Sequence, residues 1–298
     1  WGGWARVPAG ERAAFVAGLV TLWLSLDWPL GPIAAGYLAS AHAFQFLIVT
    51  MFAAPLLLLG ARTGSAEQLA RTFTSPGTCR AGRILVHPIV AAIIFNVIVA
   101  GTHMPSVVDG LMPTAAGAFV VDAAWLAGGL LFWWPVLMPV PVIARFGDPL
   151  KILYLLIGTL FHTVIGMVML SAEMPLYGIY ELAPPIVGIP VRADQQLAGG
   201  IMELGVFGAI VLASAFLFFR WARRDGAAAV AGTLSLGGRL GHDPVSTVLA
   251  GVAVASFATA LQTYLQQRNS NILRPVFSWI LGQLTTAGWD SLRMAGGY

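Results

Sequence analysis

Charge is what this sequence has least of. Of its 298 residues, 16 are Lys or Arg and 13 are Asp or Glu, so charged side chains make up 10% of the chain. An average soluble domain carries roughly 25%. Hydrophobic residues make up 58%, and the mean hydropathy is +0.80. A chain this apolar cannot hide its surface in one water-soluble core, so disorder, collagen and ordinary soluble enzymes are excluded. Cysteine is nearly absent too. The single Cys79 excludes an internal disulfide, a disulfide scaffold and any multi-cysteine metal site. Nucleotide and hydrolase signatures are missing: there is no Walker loop, no HExxH, no GxSxG and no GxGxxG loop. No span carries two histidines four residues apart, so nothing points to a bis-histidine haem site on one helix. The reading is non-enzymatic. The net charge of +3 identifies no nucleic-acid partner, because in a membrane protein the positions of Arg and Lys matter more than their sum.

What the sequence does have is long uncharged runs. Stretches free of Asp, Glu, Lys and Arg cover 28–61, 84–108, 123–144, 152–172, 204–219 and 244–267, and a shorter one covers 13–26. A membrane helix needs about 20 mostly apolar residues. Pro29, Gly31 and Pro32 end the first helix. The expected spans are 11–28, 36–60, 83–102, 116–138, 150–171, 197–219 and 244–265. This is an all-α, polytopic membrane helix bundle of seven transmembrane helices in contact with membrane lipids. Residues 1–12 carry Arg6, Glu11 and Arg12 and no cleavable apolar core, so they do not read as a signal peptide.

The loops alternate in charge. Arg6, Arg12, Arg62, Arg71, Arg80, Arg83, Arg145, Lys151, Arg220, Arg223, Arg224 and Arg239 fall on one side, twelve of the sixteen basic residues. The other side carries Asp27, Asp109, Glu173, Glu181 and Asp194, with only Arg192 against them. The positive-inside rule predicts a cytoplasmic N-terminus and an external C-terminus in a bacterial inner membrane. Residues 1–224 read as a six-span membrane core, the Gly- and Ala-rich 225–243 as a cytoplasmic linker, and 244–265 as the seventh span. In 266–298, Ile272, Leu273, Val276, Phe277, Ile280, Leu281 and Leu284 recur at helical spacing, which suits an amphipathic helix on the outer surface.

Titratable groups inside spans are costly and need a reason. In this topology His42, His103, Asp122, Met202 and Glu203 all lie in the outer third. Imidazole and thioether together suit copper, Cu(I) above all, with Met51 and Met104 as further sulfur candidates. Carboxylates alone would suit harder ions or a proton path, and Asp122 and Glu203 could equally bond between helices. His162 and His87 read as structural, and His242 as solvated.

The order of several motifs then becomes specific. His42-Ala-Phe-Gln45-Phe46 is followed by Ala54-Pro55-Leu56-Leu57-Leu58-Leu59-Gly60. Next come His87-Pro88, His103-Met-Pro105 with Asp109, and Leu130-Leu-Phe-Trp133-Trp134-Pro135. Leu153-Tyr154-Leu, Pro175-Leu-Tyr177-Gly-Ile-Tyr180 and Asp194-Gln195-Gln196-Leu-Ala-Gly199-Gly200-Ile-Met202 complete the series. Over about 11–220 this resembles the CtaG-type cytochrome c oxidase assembly factors. The resemblance implies a seven-helix membrane protein that helps copper reach, or helps assemble, a cytochrome c oxidase. It also implies a transient copper site at His42, His103 and Met202, with Asp122 and Glu203 as ligands or supporting groups. Three departures bear on that site. Phe46 stands where the family usually has a second histidine, Ala118 and Asp122 stand where it tends to have a histidine pair, and Glu203 stands where it usually has Trp. The alternative expectation is therefore a structural accessory subunit of a larger membrane complex, keeping the fold with a degenerate metal site.

Overall fold

A computed structural model describes residues 7–62, 82, 84–138 and 146–236. The chain divides into two units, Trp1–Ala222 and Arg223–Tyr298; the site lies in the first. Among the described residues every regular element is a helix. Among these residues five helices are long and apolar enough to cross a membrane, or six if one sharply bent pair counts as a span. The expected spans 244–265 and tail 266–298 lie outside the described residues.

Helix α1 (Ala9–Leu26) is followed by a short α2 (Leu30–Gly36). The second span was expected to begin at residue 36. It begins three residues later as α3 (Ala39–Leu47), because Leu38 is extended (φ -134°, ψ 125°). It passes through a π-helical turn, Ile48–Ala53, into α4 (Ala54–Gly60). Helices α5 (Pro88–Thr102) and α6 (Pro105–Leu111) form the bent pair, at 69°. The expected start at 83 moves to Pro88 because proline lacks the amide that only the first helical turn can spare. Pro105 starts the second arm in the same way.

Helix α7 (Ala115–Leu137) starts where Thr114 accepts a hydrogen bond from Gly117 N at 3.0 Å, an N-cap that leaves one fewer amide unsatisfied. The fifth span is broken at Thr159 into α8 (Asp148–Gly158) and α9 (Leu160–Ser171). After the four-residue α10 (Gly178–Glu181) comes α11 (Val191–Gly200), a second π-helical turn (Ile201–Gly205) and α12 (Val206–Leu236). The sixth span therefore starts before residue 197 and takes in Asp194, which charge alone placed in a loop. Its helix continues through Leu236, so residues 225–236 of the expected linker are helical. Their run of alanines, among the strongest helix formers, accounts for that.

Side-chain contacts fix the directions of the spans. Trp125 Nε1 donates to Thr102 Oγ1 at 2.9 Å and Phe95 stacks on Phe132 at 4.6 Å, so α5 and α7 are antiparallel. Gln45 bonds Asp122 near one end while Trp133 Nε1 donates to Thr50 O at 3.0 Å further along, so the second and fourth spans run parallel. Asp194 meets Ala39, and Gly205 faces Leu47, so the second and sixth spans run parallel too. Successive crossings that alternate in direction produce this pattern. At the end shared by Asp148 and Arg220, the guanidinium grips both carboxylate oxygens of Asp148, with Nε to Oδ2 at 3.1 Å.

Candidate functional site

The opposite end of the bundle holds a knot of buried rings. His42 projects from the first turn of α3 and is 2% exposed; His103 caps the C-terminus of α5 and is 5% exposed. The two imidazoles come from helices 61 residues apart in sequence, yet their ring centroids are 5.7 Å apart at an interplanar angle of 70°. Trp125 of α7 lies 4.8 Å from His42 and 6.0 Å from His103. Phe46, one turn after His42, lies 5.0 Å from His103 and 5.3 Å from Trp125.

The nitrogens of these rings are anomalous. Buried polar groups are nearly always hydrogen-bonded, but both nitrogens of His42 and the Nε2 of His103 are buried without a partner. The Ala34 carbonyl lies near His42 without completing a hydrogen bond to it, and it already accepts from Tyr180 Oη at 2.7 Å. His103 Nδ1 lies 2.8 Å from Val99 O. A carbonyl only accepts, so Nδ1 carries the proton and the lone pair sits on Nε2. A backbone carbonyl that fixes the tautomer in this way is the usual support behind a metal-binding imidazole.

A short strap covers the pair. Tyr177 Oη donates to His103 O at 3.0 Å, and the Tyr180 ring lies 6.0 Å from His42. Asp109 accepts from Gly178 N at 3.1 Å and Ile179 N at 3.0 Å, holding the start of α10 in place. Burial raises the ionisation of both tyrosines above the ordinary range, with the Asp109 carboxylate adding to the effect. Both therefore stay neutral donors at physiological pH.

The expected carboxylates are not drawn to one point with the imidazoles. Met202 is fully buried in the second π-helical turn and belongs to the same core as Phe46 and Trp125. Asp122 is half-buried on α7, its Oδ1 accepting from Gln45 Nε2 at 3.2 Å. Glu203 lies against Thr163 and Gly166 of α9, with Oε1 buried and unpartnered. Among the described residues no three His, Cys, Asp or Glu side chains lie close enough together to hold a metal ion. The carboxylates are thus spread over separate helix interfaces, Asp122 against Gln45 of α3 and Glu203 against Thr163 and Gly166 of α9.

One further imidazole joins the cluster. His162, read from sequence as structural, is 2% exposed, lies 5.3 Å from Phe46 and 5.4 Å from Phe95, and leaves both nitrogens unpartnered. Trp125 carried no sequence signal except its place one turn after Asp122, since an aromatic in an apolar run reads as packing.

Comparison with known proteins adds two matches. The family model described as cytochrome c oxidase caa3 assembly factor (Caa3_CtaG) matches residues 2–224. A model of the FecCD transport family matches residues 196–297, about a third of the chain. Neither the curated proteins nor the solved structures contain a match.

Proposed function

The chain belongs to the cytochrome c oxidase caa3 assembly factor family, and on that premise we propose that it is an inner-membrane assembly factor that holds a Cu(I) ion transiently between His42 and His103. One observation carries the reading: two buried imidazoles lie 5.7 Å apart, edge-on at 70°, with three of their four ring nitrogens left without a partner. Two metal–nitrogen bonds of about 2 Å each, with the ring radii added, span about 6 Å. The centroids are 5.7 Å apart. Two neutral nitrogens in a dry pocket suit a monovalent soft ion. The Born cost of burial grows as the square of the charge, so a divalent ion costs roughly fourfold more and would need carboxylates to offset it. A site with few ligands also releases its cargo readily, as delivery to an oxidase requires.

In this reading the protein crosses the membrane seven times from a cytoplasmic N-terminus, and the imidazole pair opens toward the outer face where the strap lies. It handles copper as cargo, without catalysis, and meets its oxidase subunits within the membrane. A second reading, a structural accessory subunit with a degenerate site, is favoured by the separation of Asp122 and Glu203 from the imidazoles.

Metal content separates the two. Purified protein loaded anaerobically with Cu(I) is expected to retain about one ion per chain. His42→Ala and His103→Ala are each expected to lose it, while Asp122→Asn and Glu203→Gln keep it. Copper-free wild-type protein that co-purifies tightly with other subunits would establish the structural reading instead.

A further inference from the structure

We propose that the indole of Trp125 forms the third wall of the ion site and binds the cargo through its π face. This rests on the reading of His42 and His103 as the ion's ligands. Two nitrogens leave a cation coordination-poor, and among the described residues no group of three His, Cys, Asp or Glu side chains completes the set. The three ring centroids of His42, His103 and Trp125 form a triangle with sides of 5.7, 4.8 and 6.0 Å. The midpoint between the imidazoles, where a bridged ion would sit, then lies about 5 Å from the indole centroid, within the roughly 6 Å reach of a cation–π contact.

Orientation agrees with distance. The indole plane is inclined only 26° to the His103 ring, in a stacked arrangement. The Nε2 lone pair lies in the imidazole plane, so an ion on it is displaced off the indole plane, toward the face. The indole cannot turn its edge instead. Its only donor, Nε1, is spent on Thr102 Oγ1 at 2.9 Å, and that hydroxyl is itself anchored to Ile98 O at 2.7 Å. Trp125 is fully buried, and a cation–π contact gains strength where water is excluded. Phe46 packs on both His103 and Trp125 and keeps the third side dry.

This wall selects its cargo. A π face is soft, neutral and without lone pairs, so it stabilises a monovalent ion that two imidazoles already hold. It cannot supply the four ligands that Zn²⁺ demands. The site thereby takes a desolvated, monovalent, soft cation and discriminates against divalent ions without any acidic residue.

The test uses full-length protein in detergent, titrated anaerobically with Cu(I) against a chromophoric chelator, and with Ag(I) as a redox-inert probe. Wild-type protein is expected to show a perturbed near-UV indole absorption and quenched tryptophan fluorescence, both saturating at one ion per chain. Trp125→Phe, which keeps a ring in the core, should lose the indole signal and weaken binding about tenfold. Trp125→Leu should weaken it further, with thermal melting confirming that each variant is folded. Unchanged affinity in Trp125→Phe with no indole signal in the wild type would overturn the inference. Loss of binding in His42→Ala and His103→Ala would then leave the two-imidazole reading standing. Wild-type protein that binds neither Cu(I) nor Ag(I) would remove both.

Discussion

Asp194 shows what one charge does inside this bundle. Its carboxylate is 2% exposed, a burial that is tolerable only with strong donors around it. It accepts from Ala39 N at 2.6 Å, Ser40 N at 3.2 Å and the Ser40 hydroxyl. Those are the first amides of α3, so a side chain 154 to 155 residues away performs the N-cap that Leu38 cannot, at the helix end where the dipole favours negative charge. Asp194→Ala is expected to cost about 1–3 kcal/mol by stranding those donors. On the proposed reading it should also weaken Cu(I) binding, since His42 stands on the same first turn. Asp194→Asn keeps one acceptor and should fall between. Thermal melting of the purified variants checks the order. Sequence exposes such residues unevenly. His42 and His103 stand out in apolar runs because a titratable group there needs a reason. Asp194 is equally visible, but its partner lies across the fold and nothing local marks it as a cap. Trp125 is invisible, because burying an indole needs no special cause.

At the scale of elements, the helices are legible and their interruptions only partly so. Pro88 and Pro105 announce where the two arms of the bent pair begin. The π-helical turns Ile48–Ala53 and Ile201–Gly205 have no comparable local signature, since their composition is that of any membrane helix. One follows Phe46 of the ring cluster, and the other contains Met202 and Glu203. The glycine pair before the second turn separates into two roles. A Cβ on Gly199 would lie 2.7 Å from Gly166 O and 3.0 Å from Leu170 N, backbone atoms that cannot swing aside, whereas a Cβ on Gly200 meets nothing within 4 Å. Gly199 is therefore what lets α11 lie against α9, while Gly200 is free of that duty. Gly199→Ala is expected to destabilise by about 1–3 kcal/mol through overpacking. Gly200→Ala should be neutral or stabilising by up to about 1 kcal/mol from helix propensity. Equal melting temperatures for the two variants would remove the close-packing role from Gly199.

At the scale of the whole molecule, the scarcity of charge becomes an orientation. Among the described residues of the first unit, one end of the bundle gathers Arg62, Lys151 and Arg220, and the end bearing the imidazole pair and its strap gathers Asp27, Asp109, Glu173, Glu181 and Asp194 against Arg192. The contacts that make alternate spans parallel arrange these two sets at opposite ends, a placement sequence could supply only by assuming each crossing. On the proposed reading, the positive-inside rule turns the basic end to the cytoplasm and the imidazole pair outward. The single native cysteine makes this directly testable. In a Cys79→Ser background, Leu182→Cys places a thiol on the strap side, at a residue 87% exposed. His87→Cys places one at an exposed position beside Pro88, which shares an apolar groove with Phe146 and Leu150 at the basic end. A membrane-impermeant maleimide applied to intact spheroplasts should label the first and spare the second until the membrane is opened. The reverse pattern would turn the molecule over and place the imidazole pair at the cytoplasmic end.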